Sequence, residues 1–433
     1  MPDNKQKVLI IRLSAMGDVI FTIPLANVLK DNGYNVTWLI SEKGYQLVKN
    51  NPCVDKVILA PIEKWKKSHT PFKNFLEYIS ILKQIRNEKY DIALDIQLIL
   101  KSLLWTLFCG AKRRIVAKNA RELSILGGNE IIPATRVGNN PHAVKSYLKY
   151  AEYLGLNTDN IKVTLPQTSK ETKEKISELL QPIENKPFIL VAPATTWTTK
   201  HWNKDNWKTL IPKLSEKYTL VFTGTEKDKE LISYISEDKY LNLAGKTNLE
   251  ELQELLSRAE LVISMDSGTT HLAWATQKPK IVSIFCSTPE TLYAPIGDKY
   301  ISVSAKEHCS PCHRKRCPKG TNECTNYPTI DEVYNAIETL LNKVEGIKES
   351  FVYEKKEDDG DVKVCVKIVY DKEMIKELYN IEGEDKIREF LWEKVKEVNR
   401  LMPKYKYVRE MIITEEELIK TTTLKIKRHE EMK

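Results

Sequence analysis

Short β-rich runs alternate with helical stretches through the first 340 residues, and this rhythm constrains the fold of the chain more than any other feature. In the first half, strand-like runs fall at Val8–Leu13, Val36–Ile40, Val57–Ala60, Ile92–Ile96 and Ile115–Ala117, with helices between them such as Val19–Asp31 and Phe72–Asn87. Parallel strands need crossovers, and crossover helices cover both sheet faces, so such strands read as nearly continuous apolar runs. A helix at His142–Leu156 leads into a charged connector, Thr168–Asn185, after which the rhythm restarts. Strand-like runs return at Phe188–Ala192, Thr219–Thr223, Leu261–Met265 and Lys280–Phe285, and helices at Lys204–Glu216, Lys227–Ser236, Leu249–Arg258 and His271–Gln277. The expectation is an α/β protein with two doubly wound halves, 1–165 and 186–345, and a ligand cleft between them. A last helix, Ile330–Lys343, is expected to cross back over the first half.

The remainder has a different composition. Residues 351–433 hold 19 Lys+Arg and 20 Asp+Glu, and strand-like runs at Ser350–Tyr353, Val362–Val369 and Val408–Ile413 flank a helix at Lys386–Asn399. This predicts a small third α+β domain over 348–433. The whole chain carries +8 net charge, too little and too dispersed to point to nucleic acid. No run of eighteen apolar residues predicts a membrane-spanning helix. The first residues, MPDNKQK, pass into VLIIRL without the pattern of a secretory signal, so a cytoplasmic protein is expected. Its eight cysteines then read as reduced thiols or metal ligands.

Three segments carry chemistry. In Val8-Leu-Ile-Ile-Arg-Leu-Ser-Ala-Met-Gly-Asp18 a buried strand ends, Gly17 turns, and Asp18 stands at a helix start. An N-cap aspartate is the plain reading. The same geometry keeps a carboxylate ionised at the cleft, placed to accept a proton from a hydroxyl. In Val191-Ala-Pro-Ala-Thr-Thr-Trp-Thr-Thr-Lys200-His-Trp202, the hydroxyls of Thr195 and Thr196 and the ammonium of Lys200 suit a diphosphate, against the alternative of a solvated loop. In Leu261-Val-Ile-Ser-Met-Asp266-Ser-Gly-Thr-Thr-His271, a strand, a turn and a helix start form an anion site. There Asp266 is a candidate for a ribose or a metal, and His271 for a phosphate.

Taken together these segments resemble the glycosyltransferase family that includes the ADP-heptose:lipopolysaccharide heptosyltransferases. The matching pieces are RLSAMGDVIFTIP (12–24), HAVKSYLKYAEYLGL (142–156), PATTWTTKHW (193–202), FTGTEKD (222–228), LAGKTNLEEL (243–252) and MDSGTTHLAWATQKP (265–279). The resemblance implies the GT-B fold, two facing Rossmann-like domains, and inverting transfer of heptose from ADP-heptose to a lipopolysaccharide core acceptor of the Kdo-lipid A type. It implies Asp18 as general base, Lys200 at the donor phosphates with Thr195 and Thr196 beside it, and Glu226 at the nucleoside. Asp266, Ser267, Gly268 and His271 would form the nucleotide-sugar loop. No metal is required, Mg²⁺ on the diphosphate is compatible, and the lipid acceptor implies peripheral contact with the cytoplasmic face of the inner membrane. A different nucleotide sugar and another cell-surface glycan acceptor on the same fold form the alternative. An acyl-adenylating enzyme or a nucleotide-binding protein without turnover fits less well.

Two features stand apart from the family pattern. Cys309, Cys312, Cys317 and Cys324 lie within sixteen residues, either as a structural zinc site or as reduced thiols in a basic loop that also holds His308, His313, Arg314, Lys315, Arg316 and Lys319. That basic loop is also a weaker candidate for a phosphorylated acceptor or anionic lipid. Residues 348–428 resemble the C-terminal subdomain of AMP-forming acyl-CoA synthetases, with Lys425 where that family keeps its adenylation lysine. The large adenylate-binding domain does not precede it, so an orphan module is expected.

Overall fold

The computed structural model describes residues 5–135, 142–307, 309–341, 345–356, 362–400 and 407–418. Two compact units divide the chain at residues 340 and 341.

The first unit opens with β1 (Lys7–Ile11), α1 (Met16–Asp31), β2 (Asn35–Ser41), α2 (Glu42–Val48), β3 (Lys56–Ala60), α3 (Ile62–Lys67) and α4 (Pro71–Asn87). It continues through β4 (Ile92–Asp95), α5 (Leu100–Phe108), β5 (Arg113–Ala117), β6 (Glu130–Ile132) and α6 (Ala143–Tyr153). The six strands run parallel in the order β3-β2-β1-β4-β5-β6, with Val8 opposite Val36 and Ile92. Side chains alternate across a strand, so β1 feeds two cores. Val8 and Ile10 pack with Val19, Phe21 and Tyr147 of α1 and α6, whereas Leu9 and Ile11 pack with Leu82, Ile85 and Trp105 of α4 and α5.

After α7 (Lys170–Leu179) the pattern repeats as β7 (Ile189–Ala192), α8 (Lys204–Ser215), β8 (Leu220–Phe222), α9 (Lys229–Ser236), β9 (Leu241–Asn242) and α10 (Leu249–Arg258). Next come β10 (Leu261–Met265), α11 (Gly268–Thr276), β11 (Lys280–Phe285), α12 (Glu290–Tyr293), β12 (Tyr300–Ser304) and α13 (Ile330–Leu341). This sheet is also parallel, ordered β12-β11-β10-β7-β8-β9, so β7 corresponds to β1 and β10 to β4. Both halves therefore present strand ends and helix starts on one sheet edge, where ligands of such folds bind.

One expectation is corrected. The stretch 168–185 is not a bare connector. Ser169 caps α7 by accepting from Thr172 N, Ile176 is buried, and Lys175 pairs with Glu251 at 2.7 Å. Dense charge hides the helical period, because so few apolar residues mark the inner face. Helix α13 starts against the second half, where Lys217 donates to Tyr334 and Lys306 pairs with Glu332.

The second unit has β13 (Ile347–Lys356), β14 (Val362–Tyr370), α14 (Lys372–Tyr379), α15 (Glu384–Arg400) and β15 (Val408–Thr414). β13 pairs antiparallel and β15 parallel with β14, and Ile375, Ile387 and Leu391 fill the core beneath the sheet. The compact α+β module expected here is present. Lys425 and the rest of the 420–428 segment lie outside the described residues.

Candidate functional site

At the edge of the first sheet, α1 begins at Met16 with Ala15 as its N-cap, so Asp18 sits inside the first turn instead of capping it. Its carboxylate is gripped from two sides. Arg12 Nη2 lies 2.6 Å from Oδ2, and the Tyr147 hydroxyl donates to Oδ1 at 2.7 Å. Arg12 is itself buried, donating to Ile96 O at 2.6 Å and to the Tyr147 hydroxyl at 3.1 Å. The Asp18 side chain stays 30% exposed, so it is oriented yet reachable. A charge-assisted clamp of this kind favours the ionised form needed to accept a proton.

The second sheet edge is built differently. Asp266 follows β10 and is 2% exposed. Its Oδ2 takes the Lys200 ammonium at 2.7 Å and the Thr288 hydroxyl at 2.6 Å, while His271 Nε2 stands 3.4 Å from Oδ1. Burial works against the charge on this carboxylate, but the His271 hydrogen bond and the Lys200 charge overcome it and hold it far below the usual carboxylate range. Lys200 also lies over the Trp197 ring, 4.6 Å from its centroid, which fixes the direction of the ammonium. Thr195 donates its hydroxyl to Asp266 O at 3.1 Å, and Thr196 next to it is exposed.

Ser267 is the N-cap residue of α11, and Gly268 and His271 lie in its first turn. The buried Ser267 Oγ and His271 Nδ1 have no hydrogen-bond partner among the described residues. Orphaned polar atoms beside the free N–H groups of a helix start suit an anionic ligand. The two halves touch here. A Cβ on Gly17 would fall 2.5 Å from His271 Cδ2, and a Cβ on Gly268 would fall 2.0 Å from Met16 Cε. The flexible end of Met16 can move aside, but the buried His271 ring leaves Gly17 no room for a side chain, so α1 and α11 meet closely there.

Glu226 lies on the same edge after β8, 71% exposed and ion-paired with Lys229 at 2.7 Å. It faces Gly245, whose absent Cβ would sit 2.2 Å from Glu226 Oε2. The cysteine loop braces the Lys200 segment from behind: Thr199 donates to Arg314 O at 2.5 Å, and Thr198 to Lys315 O at 3.1 Å. Burial, and then the nearby Cys312, Cys309 and Cys317, push the Cys324 thiol up to about 11. Backbone N–H groups, led by that of Asn322, pull Cys317 down. Among the described residues no three His, Cys, Asp or Glu side chains are arranged to hold a metal ion.

Sequence reasoning missed Arg12, Tyr147, Thr288 and Trp197. Arg12 had a signal, since a lone cation inside the apolar run VLIIRL has to be buried with a partner. Tyr147 and Thr288 had none, because only the tertiary fold brings them to Asp18 and Asp266.

Glycosyltransferase family 9 (heptosyltransferase) matches residues 78–322, more than half of the chain. Lipopolysaccharide heptosyltransferase 1 of Pseudomonas aeruginosa is 24% identical over 318 residues, 72% of this chain and 87% of that protein. The Escherichia coli K12 protein of the same name is 27% identical over 287 residues, 64% of this chain and 86% of its own length. A solved family 9 glycosyl transferase from Veillonella parvula aligns with a TM-score of 0.64 at 20% identity, over 79% of this chain and 98% of that one. An E. coli heptosyltransferase solved with ADP aligns with a TM-score of 0.60 at 23% identity, over 77% of this chain and all of that one, 100%. The architecture is thus GT-B, with two Rossmann-like domains. The chain belongs to glycosyltransferase family 9, the heptosyltransferase family, and is a glycosyltransferase.

Proposed function

We propose that this glycosyltransferase moves a heptose from ADP-heptose to a lipid-linked lipopolysaccharide core acceptor of the Kdo-lipid A type, with inversion at the anomeric carbon. The observation that carries the reading is the meeting of α1 and α11, which sets the reachable Asp18 carboxylate beside the cationic helix start that holds His271. In the reaction Asp18 accepts the proton of the acceptor hydroxyl. The oxygen forms its bond to the anomeric carbon as the bond to ADP breaks on the opposite side. Lys200 and the α11 amides stabilise charge developing on the departing diphosphate. The scheme runs without a metal, because these groups supply the positive charge.

Thr195, Thr196, Ser267 and Gly268 are assigned to the phosphates, and Glu226 to the nucleoside. The near-complete burial of Asp266 makes it a positioning residue for Lys200 and His271 rather than a contact to the ribose. The donor assignment rests on the names of the relatives. A lipid acceptor implies peripheral attachment at the cytoplasmic face of the inner membrane, and no helix among the described residues is long and apolar enough to cross a membrane.

The test is turnover. Incubated with ADP-heptose and Kdo-lipid A, the chain is expected to release ADP and yield an acceptor one heptose heavier. Turnover of a UDP- or GDP-sugar in place of ADP-heptose would overturn the donor assignment and keep the glycosyltransferase.

A further inference from the structure

The first unit distributes its exposed apolar side chains unevenly. Of fourteen large hydrophobic residues exposed among the described residues of 1–340, twelve precede residue 154 and two follow it. Phe72 (74% exposed), Phe75 (59%) and Leu76 (52%) lie on the first turns of α4, Leu100 and Leu104 on α5, and Leu123 and Leu126 after β5. The spacing of Phe72, Phe75 and Leu76 puts them on one face of α4, and Leu100 and Leu104 share a face of α5. Further along α4 the exposed positions turn polar: Ser80, Lys83, Gln84 and Arg86.

This exposure is not a packing defect. Leu82, Ile85 and Trp105 on the same two helices are buried against the sheet, and the Tyr78 and Trp105 rings join the helices with centroids 4.3 Å apart. The N-terminal ends of α4 and α5 and the turn after β5 all lie at the strand C-termini of the first sheet. That is the edge that carries Asp18. Charge marks the same layer. At this edge, residues 62–77, 99–104 and 118–126 hold seven Lys+Arg against three Asp+Glu, whereas the whole chain is nearly balanced at 67 against 59.

We propose that this rim of α4, α5 and the turn at Leu123 is a docking surface for an anionic lipid bilayer. Its phenylalanine and leucine side chains would enter the acyl boundary, and Lys73, Lys101 and Arg121 would meet the headgroups. Charge selects this occupant over a second copy of the chain, because a two-fold interface would press the same cationic face against itself. The inference rests on the lipid-linked acceptor of the proposed function, and it adds the surface that brings Asp18 to the membrane plane.

The experiment is co-sedimentation of the full chain with phosphatidylethanolamine–phosphatidylglycerol vesicles and with phosphatidylcholine vesicles, no sugar donor being present. Binding is expected only with phosphatidylglycerol, weakening as salt rises. In the triple variant Phe72→Ser, Phe75→Ser, Leu76→Ser it should fall on the order of a hundredfold. An unchanged melting temperature and an unchanged response to ADP in that variant show that fold and donor site are intact. The vesicle result then stands or falls apart from the donor assignment. Equal binding of parent and variant, absence of vesicle binding by the parent, or a dimer that the triple variant splits would each overturn the proposal.

Discussion

Asp95 and Asp266 stand at corresponding places in the two halves, at the C-terminal ends of β4 and β10, and both are almost fully buried. Their environments push them in opposite directions. Asp95 meets only neutral donors: the N–H groups of Gln97 and Leu98 on Oδ1, both at 3.0 Å, and the Thr106 hydroxyl on Oδ2 at 3.1 Å. Burial wins there and raises its carboxyl to about 6. Asp266 has Lys200 and His271, and its carboxyl is driven down. The same fold position thus serves two purposes. In the first half the charged group at the sheet edge is Asp18, in the first turn of α1 and clamped by Arg12. In the second half it is a lysine brought from the loop after β7 to a buried carboxylate. The proposed reaction gives the first half the proton and the second half the anion.

The largest expected effect tests the first half. Asp18→Asn removes the base while keeping the side-chain volume, and transfer should fall on the order of a thousandfold, read as ADP release at saturating substrates. Next is Lys200→Met, which leaves Asp266 buried without its cation. A loss of about 3 kcal/mol in denaturant unfolding is expected, together with loss of the ADP response.

Asp95→Asn sharpens the contrast between the two carboxylates. Because the folded pKa of Asp95 lies above its ordinary value of 3.8, the native state binds more protons than the unfolded chain between pH 4 and about 6. The parent therefore carries a contribution that lowers stability as pH rises through that window. The Asn variant should flatten this decline, so that its stability relative to the parent improves by roughly 2 kcal/mol between pH 4 and pH 7. Asp266 has the opposite sign, and its contribution is lost as pH falls below the ordinary carboxylate range. The smallest effect belongs to Tyr147→Phe, which deletes one donor to Asp18. It should cost about 1 kcal/mol in transfer and move the acidic limb of the pH–rate profile upward, because the ionised carboxylate loses a hydrogen bond.

Much of this organisation was legible in the residues. The apolar strands at 8–11, 36–40, 189–192 and 261–265 carry a parallel-sheet signature, and the segments that hold Asp18, Lys200 and Asp266 each follow one of them. The helix α5, Leu100–Phe108, escaped because its apolar run has no clear period, partly because four of its six apolar residues are exposed. Strands β6 and β9 are three and two residues long, too short for a pattern. At the site, spacing places Asp18 at a helix start and Lys200 and Asp266 on loops, but the partnership of Lys200 with Asp266 spans 66 positions and belongs to tertiary structure. That partnership also changes the reading of Asp266 from a ligand contact to a buried anchor.

The division of labour between the halves is the central claim, and calorimetric titration of ADP into the parent, Asp18→Asn and Lys200→Met tests it most directly. The account predicts that Asp18→Asn binds ADP as the parent does, while Lys200→Met binds at least about tenfold more weakly, as befits loss of a charge-assisted contact. If Asp18→Asn lost ADP binding, or Lys200→Met kept it, the assignment of proton transfer to one half and anion binding to the other would be wrong.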